Sequence, residues 1–168
     1  GKGGFVTGMA KLHPNTNFIA VEKVSNVIIT ACESAKAEGL KNVHFINCPA
    51  EVLPRYIPEG SIERIYLNFS DPLPKLGYAA QRLTAPRFLS LYKNILKAGG
   101  EIWQKTDNED FFDFSLETFS QCGYSVLQVC RDLAANPFEG NVVTEHEKSL
   151  WTRGAKFSAL LSAAPTEL

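Results

Sequence analysis

The sequence predicts an α/β fold, in the form of a Rossmann-like, doubly wound and mostly parallel sheet with helices on both faces. Short apolar runs alternate along the chain with segments in which apolar residues recur at helical spacing, and this alternation is typical of parallel strands joined by right-handed crossovers. A glycine-rich turn, Gly1-Lys-Gly-Gly4, precedes the first helical segment. Polar side chains follow several of the apolar runs, as in sheets that bind ligands at the carboxyl ends of their strands.

Compact apolar runs bounded by turn residues predict six strands. They cover Phe18–Val21, Val43–Ile46, Ile62–Asn68, Glu101–Lys105, Tyr124–Cys130 and Lys156–Leu161. The glycine turn at Gly1 has no strand in front of it. We therefore expect that the first strand of the sheet, with other upstream residues, is missing from this chain.

Helical periodicity and terminating residues predict the helices. The run after the glycine turn ends at Pro14, and the apolar spacing of Val24–Glu38 ends at Gly39. Further helical segments are predicted over Pro49–Ile57 (short and irregular), over Pro86–Leu96, after a cap at Asp107 or Asn108, and near Glu145–Trp151. Ser70–Gln81 contains prolines and a glycine without periodicity, which predicts a long exposed loop.

Length and composition predict a single globular domain over residues 1–168. Hydrophobic residues make up 45% of the chain, which is enough for a sizeable core. The 17 Lys and Arg residues against 18 Asp and Glu give a net charge of −1. This charge supplies no overall attraction to a polyanion, so a nucleic-acid site has to be a local basic patch.

Cysteine spacing and hydropathy exclude several classes of protein. The four cysteines are far apart and form no CxxC pair, which argues against a zinc ribbon and a disulfide framework. No apolar run is long enough to span a bilayer, and no charged-then-apolar leader precedes Gly1. We expect a cytoplasmic protein with no metal and no membrane segment, either a monomer or a homodimer.

The glycine turn and Glu22 form the first candidate site. Glu22 follows the predicted strand Phe18–Val21 and lies 19 residues after Gly3. In a doubly wound sheet this spacing brings a carboxylate to the crevice beside the turn, where it can accept hydrogen bonds from a ribose. Glycines allow a cofactor to approach the backbone closely. An ordinary glycine turn followed by a glutamate at a strand end explains the pattern equally well. A kinase-type phosphate loop is excluded, because the sequence does not match the GxxxxGK[ST] pattern.

The second candidate site is Asn68-Phe-Ser-Asp-Pro-Leu-Pro-Lys75, which begins where the strand Ile62–Asn68 ends. Polar side chains at that end of a central strand face the ligand crevice, and the two prolines stiffen the loop. The position favours Asp71 as a rigid carboxylate of a binding site. The alternative is an ordinary Asp-Pro turn followed by a solvated Lys75.

Two further motifs each have a structural explanation beside a functional one. In Lys105-Thr-Asp-Asn108, Asp107 occupies a position suited to a helix N-cap, and a binding role can hold together with that cap. In Thr144-Glu-His-Glu147, the spacing of Thr144 and Glu147 matches a capping box, which is the better explanation of that motif by itself.

Six stretches together resemble the bacterial tRNA (guanine-N7)-methyltransferase family. They are GKGGFVTGMAKLHP, FIAVE, YLNFSDPLPK, QRLTAPRFL, GGEIWQKTDN and FEGNVVTEHE, and they are spread over most of the chain. The resemblance implies a class I methyltransferase fold with S-adenosylmethionine as cofactor and tRNA as partner. The implied reaction is transfer of a methyl group to N7 of a guanine in the tRNA variable loop.

The resemblance also implies roles for individual residues. Asp71 is implied as the catalytic residue, against both cofactor and guanine. The residues implied to bind the cofactor are Gly1, Gly3, Glu22, Ala50, Glu51, Asn68 and Asp71. Those implied to bind the substrate are Lys75, Asp107, Thr144 and Glu147. Arg82 and Arg87 are the other cations near the loop and are predicted to contact tRNA.

The chain departs from the family pattern at two places. Pro49 stands where the family has Asp, and proline has neither a side-chain acceptor nor a backbone N–H. After DPLPK the chain reads LGYAAQR instead of a strongly basic run, which predicts weaker or differently arranged tRNA binding. The alternatives are a methyltransferase acting on another nucleic-acid or protein amine, a nicotinamide-binding dehydrogenase, and a catalytically impaired tRNA-binding relative.

Overall fold

The computed structural model describes residues 1–166, which form two compact units. The first unit comprises Gly1–Leu53 and Gly140–Lys148, and the second comprises Pro54–Glu139 and the chain from Ser149 onward. The single domain predicted from chain length stays a prediction. Among residues 1–166, no helix has both the length and the apolar character needed to cross a membrane.

The first unit is built around two parallel strands. Its elements are α1 (Gly4–Leu12), β1 (Phe18–Val21), α2 (Ser25–Ala37) and β2 (Val43–Ile46), and a 3₁₀ helix (Ala50–Arg55) begins in this unit and ends in the second. β1 and β2 pair in parallel from Phe18 with Val43 to Val21 with Ile46. α2 ends as predicted, because Gly39 adopts a φ of 67°, in the left-handed region that glycine tolerates without steric cost.

The second unit contains a four-stranded mixed sheet. Its main elements are β3 (Ile62–Asn68), α3 (Pro86–Ile95), β4 (Leu96–Thr106), α4 (Glu109–Gln121), β5 (Ser125–Cys130) and β6 (Ser158–Ala163). The strand order is β3-β4-β6-β5, in which β3 and β4 are parallel and β6 is antiparallel to both of its neighbours. The predicted α/β class is confirmed. The last helix, α5 (Glu145–Thr152), precedes β6 in the chain.

Aromatic side chains of α3 and α4 fill the core of the second unit. Phe88, Phe112 and Phe119 are almost completely buried. Tyr124 packs edge-on against Phe119, and its hydroxyl donates a 2.6 Å hydrogen bond to the carbonyl of Leu89. Burial raises the pKa of Tyr124 well above its ordinary value, so this phenol remains a hydrogen-bond donor.

Two predictions about this unit are wrong. The sequence predicts a break at Gly99 and Gly100 before a strand at Glu101, whereas β4 begins at Leu96 and includes both glycines. Leu96 already pairs with Ile62 of β3, and the positive φ of Gly99, 71°, accommodates the irregular register that follows. The predicted loop Ser70–Gln81 is also more ordered than expected, because Leu76–Gln81 forms a 3₁₀ helix.

Candidate active site

The glycine turn needs glycine at Gly3. This residue caps α1 with a φ of 97°, a conformation that side chains rarely adopt. A Cβ on Gly3 would lie 2.9 Å from the Cβ and 3.0 Å from the Cα of Ala31 in α2. The turn therefore packs directly on α2 at Gly3.

Glu22 lies beside this turn, directly after β1. Its Oε1 accepts a hydrogen bond from the backbone N–H of Val24 at 3.0 Å, and its Oε2 lies 2.8 Å from the backbone nitrogen of Gly1. Glu22 thus places a carboxylate next to the glycine turn.

Asn47 fixes the position of Glu22 and is a residue that sequence reasoning missed. Its Nδ2 donates to the carbonyl of Glu22 at 2.7 Å, and its Oδ1 accepts from the hydroxyl of Ser25 at 2.9 Å. Asn47 follows β2, so it joins the carboxyl ends of β1 and β2 to the start of α2. A lone Asn after a strand carries no sequence signal for this contact.

Ala50 and Glu51 open the 3₁₀ helix that follows β2. Pro49, immediately before them, contributes its carbonyl to this turn, accepting from the N–H of Val52 at 3.3 Å. Burial raises the pKa of the neighbouring Cys48 thiol. The structure therefore brings Gly1, Gly3, Glu22, Ala50 and Glu51 into one unit, at the carboxyl end of its parallel strand pair.

The segment Gly140–Lys148 belongs to the same unit and contacts the glycine turn. The carboxylate of Glu145 accepts a hydrogen bond from the backbone N–H of Gly4 at 3.0 Å. A Cβ on Gly4 would collide with this carboxylate, and one on Gly8 would lie 2.9 Å from Val142. Both glycines of α1 therefore allow the segment to lie against the helix. Sequence reasoning missed Glu145.

Thr144 and Glu147 form the predicted capping box. The backbone N–H of Thr144 donates to Glu147 Oε2 at 2.6 Å, and the N–H of Glu147 donates to Thr144 Oγ1 at 3.0 Å. Both residues are buried. The structural explanation of the motif is confirmed, and the substrate contact that the resemblance implies stays a prediction.

The loop that begins at Asn68 is strained. Phe69 and Leu73 have φ values of 53° and 44°, and they are the non-glycine residues with positive φ among residues 1–166. The N–H of Phe69 donates to the carbonyl of Lys105 at 2.8 Å, and its ring packs edge-on against Phe157. Such conformations persist only where the surroundings enforce them.

Asp71 lies between the two strained residues and is exposed. Its Oδ1 accepts a hydrogen bond from the N–H of Leu73 at 3.1 Å, so an Asp-Pro turn is present as the structural alternative predicts. The turn orients the carboxylate without burying it. Asp71 therefore combines a fixed direction with access to a ligand.

The ends of β3 and β4 bring a second set of predicted residues together. Asn68, the last residue of β3, pairs with Lys105, and Asp107 follows β4 directly. Asn108, not Asp107, caps α4: its Oδ1 accepts from the N–H of Phe111 at 2.8 Å. Asp107 is exposed and is not needed as that cap.

The three cations near the loop have different environments. Lys75 is exposed at the start of the 3₁₀ helix Leu76–Gln81. Arg87 is also exposed, and its Nε donates to the carbonyl of Ala80 at 2.7 Å. Arg82 is buried, and its guanidinium donates to carbonyls of the loop. The tRNA contacts predicted for Arg82 and Arg87 stay predictions, but Arg82 has a structural use that its sequence position does not indicate.

No group of three or more potential metal-binding side chains is found in the described part of the chain. The carboxyl ends of β1 and β2 carry carboxylates, amides and exposed backbone groups, and so do the carboxyl ends of β3 and β4. These groups suit hydrogen bonding to a nucleoside and to the N–H edge of a base.

This chain resembles known methyltransferases. A family model described as "Putative methyltransferase" matches residues 1–160. A tRNA (guanine-N(7)-)-methyltransferase of Geobacillus sp. strain WCH70 is 46% identical over 154 residues, which are 92% of this chain and 70% of that protein. A protein of the same name from Bacillus velezensis is 42% identical over 160 residues, 95% of this chain and 70% of that protein.

A solved structure supports the fold. The SAM dependent methyltransferase from Aquifex aeolicus matches with a TM-score of 0.67 at 14% identity, and the match covers 97% of this chain and 77% of that chain. At this identity the likeness concerns the fold alone. The fold is that of class I S-adenosylmethionine-dependent methyltransferases, with a mixed sheet.

Proposed function

Because this chain belongs to the tRNA (guanine-N7)-methyltransferase family, we propose that it transfers the methyl group of S-adenosylmethionine to N7 of a guanine in the variable loop of tRNA. The observation that carries the proposal is the sequence identity with these enzymes over more than nine-tenths of the chain. The motifs that hold Glu22 and Asp71 lie within the matched residues 1–160.

The residues of the first unit fit a nucleoside cofactor. Gly3 holds the turn close to α2, and the neighbouring carboxylate of Glu22 can accept hydrogen bonds from the hydroxyls of a ribose. Ala50 and Glu51 of the same unit are also proposed to bind the cofactor. For Asn68 and Asp71, cofactor contacts are proposed from the family resemblance. When bound, S-adenosylmethionine supplies a methyl group on a positively charged sulfur.

Guanine N7 carries a free lone pair, so no proton has to be removed before methyl transfer. Asp71 and Asp107 are therefore proposed as acceptors for the N–H edge of guanine rather than as bases. Lys75, Thr144 and Glu147 are proposed to hold the substrate nucleotide. The contribution of these residues is orientation of N7 and exclusion of water, which supplies much of the rate enhancement when the geometry is good.

We further propose that the protein resides in the cytoplasm, where its tRNA substrate is found, and that it is a monomer or a homodimer.

The proposal is tested by incubating the purified protein with methyl-labelled S-adenosylmethionine and unmodified tRNA, followed by digestion to nucleosides. The label is expected in 7-methylguanosine. Label in another nucleoside or in protein would support the alternative amine methyltransferases. No label, together with retained tRNA binding, would support a catalytically impaired relative.

A further inference from the structure

Arg82 is a buried arginine whose partners lie in the loop that carries Asp71. Its side chain is 6% exposed. Nε donates to the carbonyl of Pro72 at 2.9 Å, and Nη2 donates to the carbonyl of Leu73 at 3.1 Å. Nε also lies 3.4 Å from the Leu73 carbonyl. The guanidinium thus contacts the two residues that follow Asp71 in the chain.

The other side of the guanidinium packs on an aromatic ring. The Cζ of Arg82 lies 4.6 Å from the ring centroid of Phe114 in α4. A cation over an aromatic face is stabilised by the electrons of the ring, and more so when water is excluded. Arg82 therefore connects the loop to a rigid helix of the same unit.

The chain around Arg82 is itself held firmly. The carbonyl of Leu83, the next residue, accepts a 2.9 Å hydrogen bond from the hydroxyl of Tyr92. The hydroxyls of Thr84 and Ser115 are 2.8 Å apart, and both residues are fully buried. These contacts anchor the Arg82 backbone on α3 and α4. Because this backbone is held in place, the hydrogen bonds of the Arg82 side chain can hold the loop in place as well.

The loop needs such support because its backbone is strained. Leu73, whose carbonyl accepts from Arg82, has a φ of 44°, which is unfavourable for a leucine. The N–H of the same residue donates to Asp71 Oδ1. Leu73 thus contacts the Arg82 guanidinium through its carbonyl and the Asp71 carboxylate through its N–H.

We propose that Arg82 is a positioning residue, which keeps the loop in the strained conformation that orients Asp71, rather than a contact to tRNA phosphate. The inference rests on the proposed function of Asp71. A planar guanidinium can donate to two carbonyls and stack on a ring at once, whereas a lysine ammonium acts as a point charge. Lysine is therefore a poor substitute at this position.

The test compares R82K and R82M with R131M as a matched control. Arg131 also lies over a phenylalanine of α4, Phe112, at 5.2 Å, but it pairs with Asp113 and not with the loop. Three quantities are measured for each protein: kcat for tRNA methylation, the slope of log tRNA affinity against log salt, and amide hydrogen exchange of residues 69–75.

Both Arg82 variants are expected to speed up exchange in residues 69–75 and to lower kcat by roughly 10- to 100-fold, because a small misplacement of reacting groups costs that much. The salt slope is expected to stay at the wild-type value, and R131M is expected to resemble wild type in all three quantities. If R82M does not fold, R82K decides the question.

A lost phosphate contact would instead flatten the salt slope by about 0.7 to 0.9. That result, or unchanged exchange in residues 69–75, overturns the positioning role. Hydrogen exchange does not depend on catalysis. If the wild-type protein methylated no tRNA, the proposed function would fail, while exchange would still report whether Arg82 holds the loop.

Discussion

The carboxylate of Glu145 accepts a hydrogen bond from the backbone N–H of Gly4, 141 positions earlier in the chain. Gly4 is the first residue of α1, so a negative charge lies at the positive end of that helix. The contact connects the segment that holds Thr144 and Glu147 to the turn proposed to bind the cofactor.

Replacing Glu145 should loosen the start of α1. For Glu145→Ala we expect a loss of about 0.5 kcal/mol of local stability, because the site is exposed and such charges contribute modestly. Amide exchange at Gly4 should then rise about twofold, and affinity for S-adenosylmethionine should fall. Glu145→Gln keeps an acceptor, so its exchange rate at Gly4 and its cofactor affinity should lie between those of wild type and Glu145→Ala. Exchange at Gly4 equal to that of the exposed control Glu139→Ala would speak against this contact in solution.

Glu22 should determine cofactor affinity. Glu22→Gln removes a charged acceptor for ribose hydroxyls, and we expect roughly a tenfold or greater loss of affinity for S-adenosylhomocysteine, since hydrogen bonds to charged groups are stronger than neutral ones. Isothermal titration measures the change. An unaltered dissociation constant would remove Glu22 from the cofactor site.

Part of the fold was predictable, because the local sequence of some segments is compatible with only one secondary structure. The strands Phe18–Val21, Val43–Ile46 and Ile62–Asn68 have the predicted bounds, since each is a compact apolar run between turn residues. The start of β4 was not predictable, because Leu96–Gly100 contains two glycines that usually end an element. Its pairing with β3 is a long-range contact that local periodicity does not contain.

Asp71 should be required for orientation and not for proton removal. Asp71→Asn keeps an oxygen acceptor for the N–H of Leu73 but loses the charge offered to guanine. We expect kcat/KM to fall by roughly 10- to 100-fold, as when a hydrogen bond to a charged group is lost. The wild-type pH–rate profile should show no essential base assignable to Asp71. A base that disappears in Asp71→Asn would contradict the acceptor role.

Variants of Thr144 distinguish its role in the capping box from a role in substrate binding. Thr144→Ala removes the acceptor of the Glu147 N–H and should cost about 1 kcal/mol, or about 2–4 °C in Tm. Thr144→Ser keeps the hydroxyl and should retain most of the stability. If both variants kept the wild-type Tm while the KM for tRNA rose, the capping box would not be the structural role of this residue.

The site was partly predictable for the same reason as the fold. Glu22 lies beside the glycine turn as predicted, because the spacing of a strand, a turn and a helix determines that neighbourhood. The contacts of Arg82 and Glu145 were not predictable. In sequence, a buried arginine that donates to Leu73 looks the same as a solvated one, and Glu145 meets Gly4 only in the folded chain.

The central claim is that N7 of guanine accepts the methyl group. The most direct test compares methylation of a tRNA transcript with that of the same transcript containing 7-deazaguanosine, in which carbon replaces N7. The account predicts label in the first transcript and none in the second, which should still compete for binding. Equal labelling of both transcripts would contradict it.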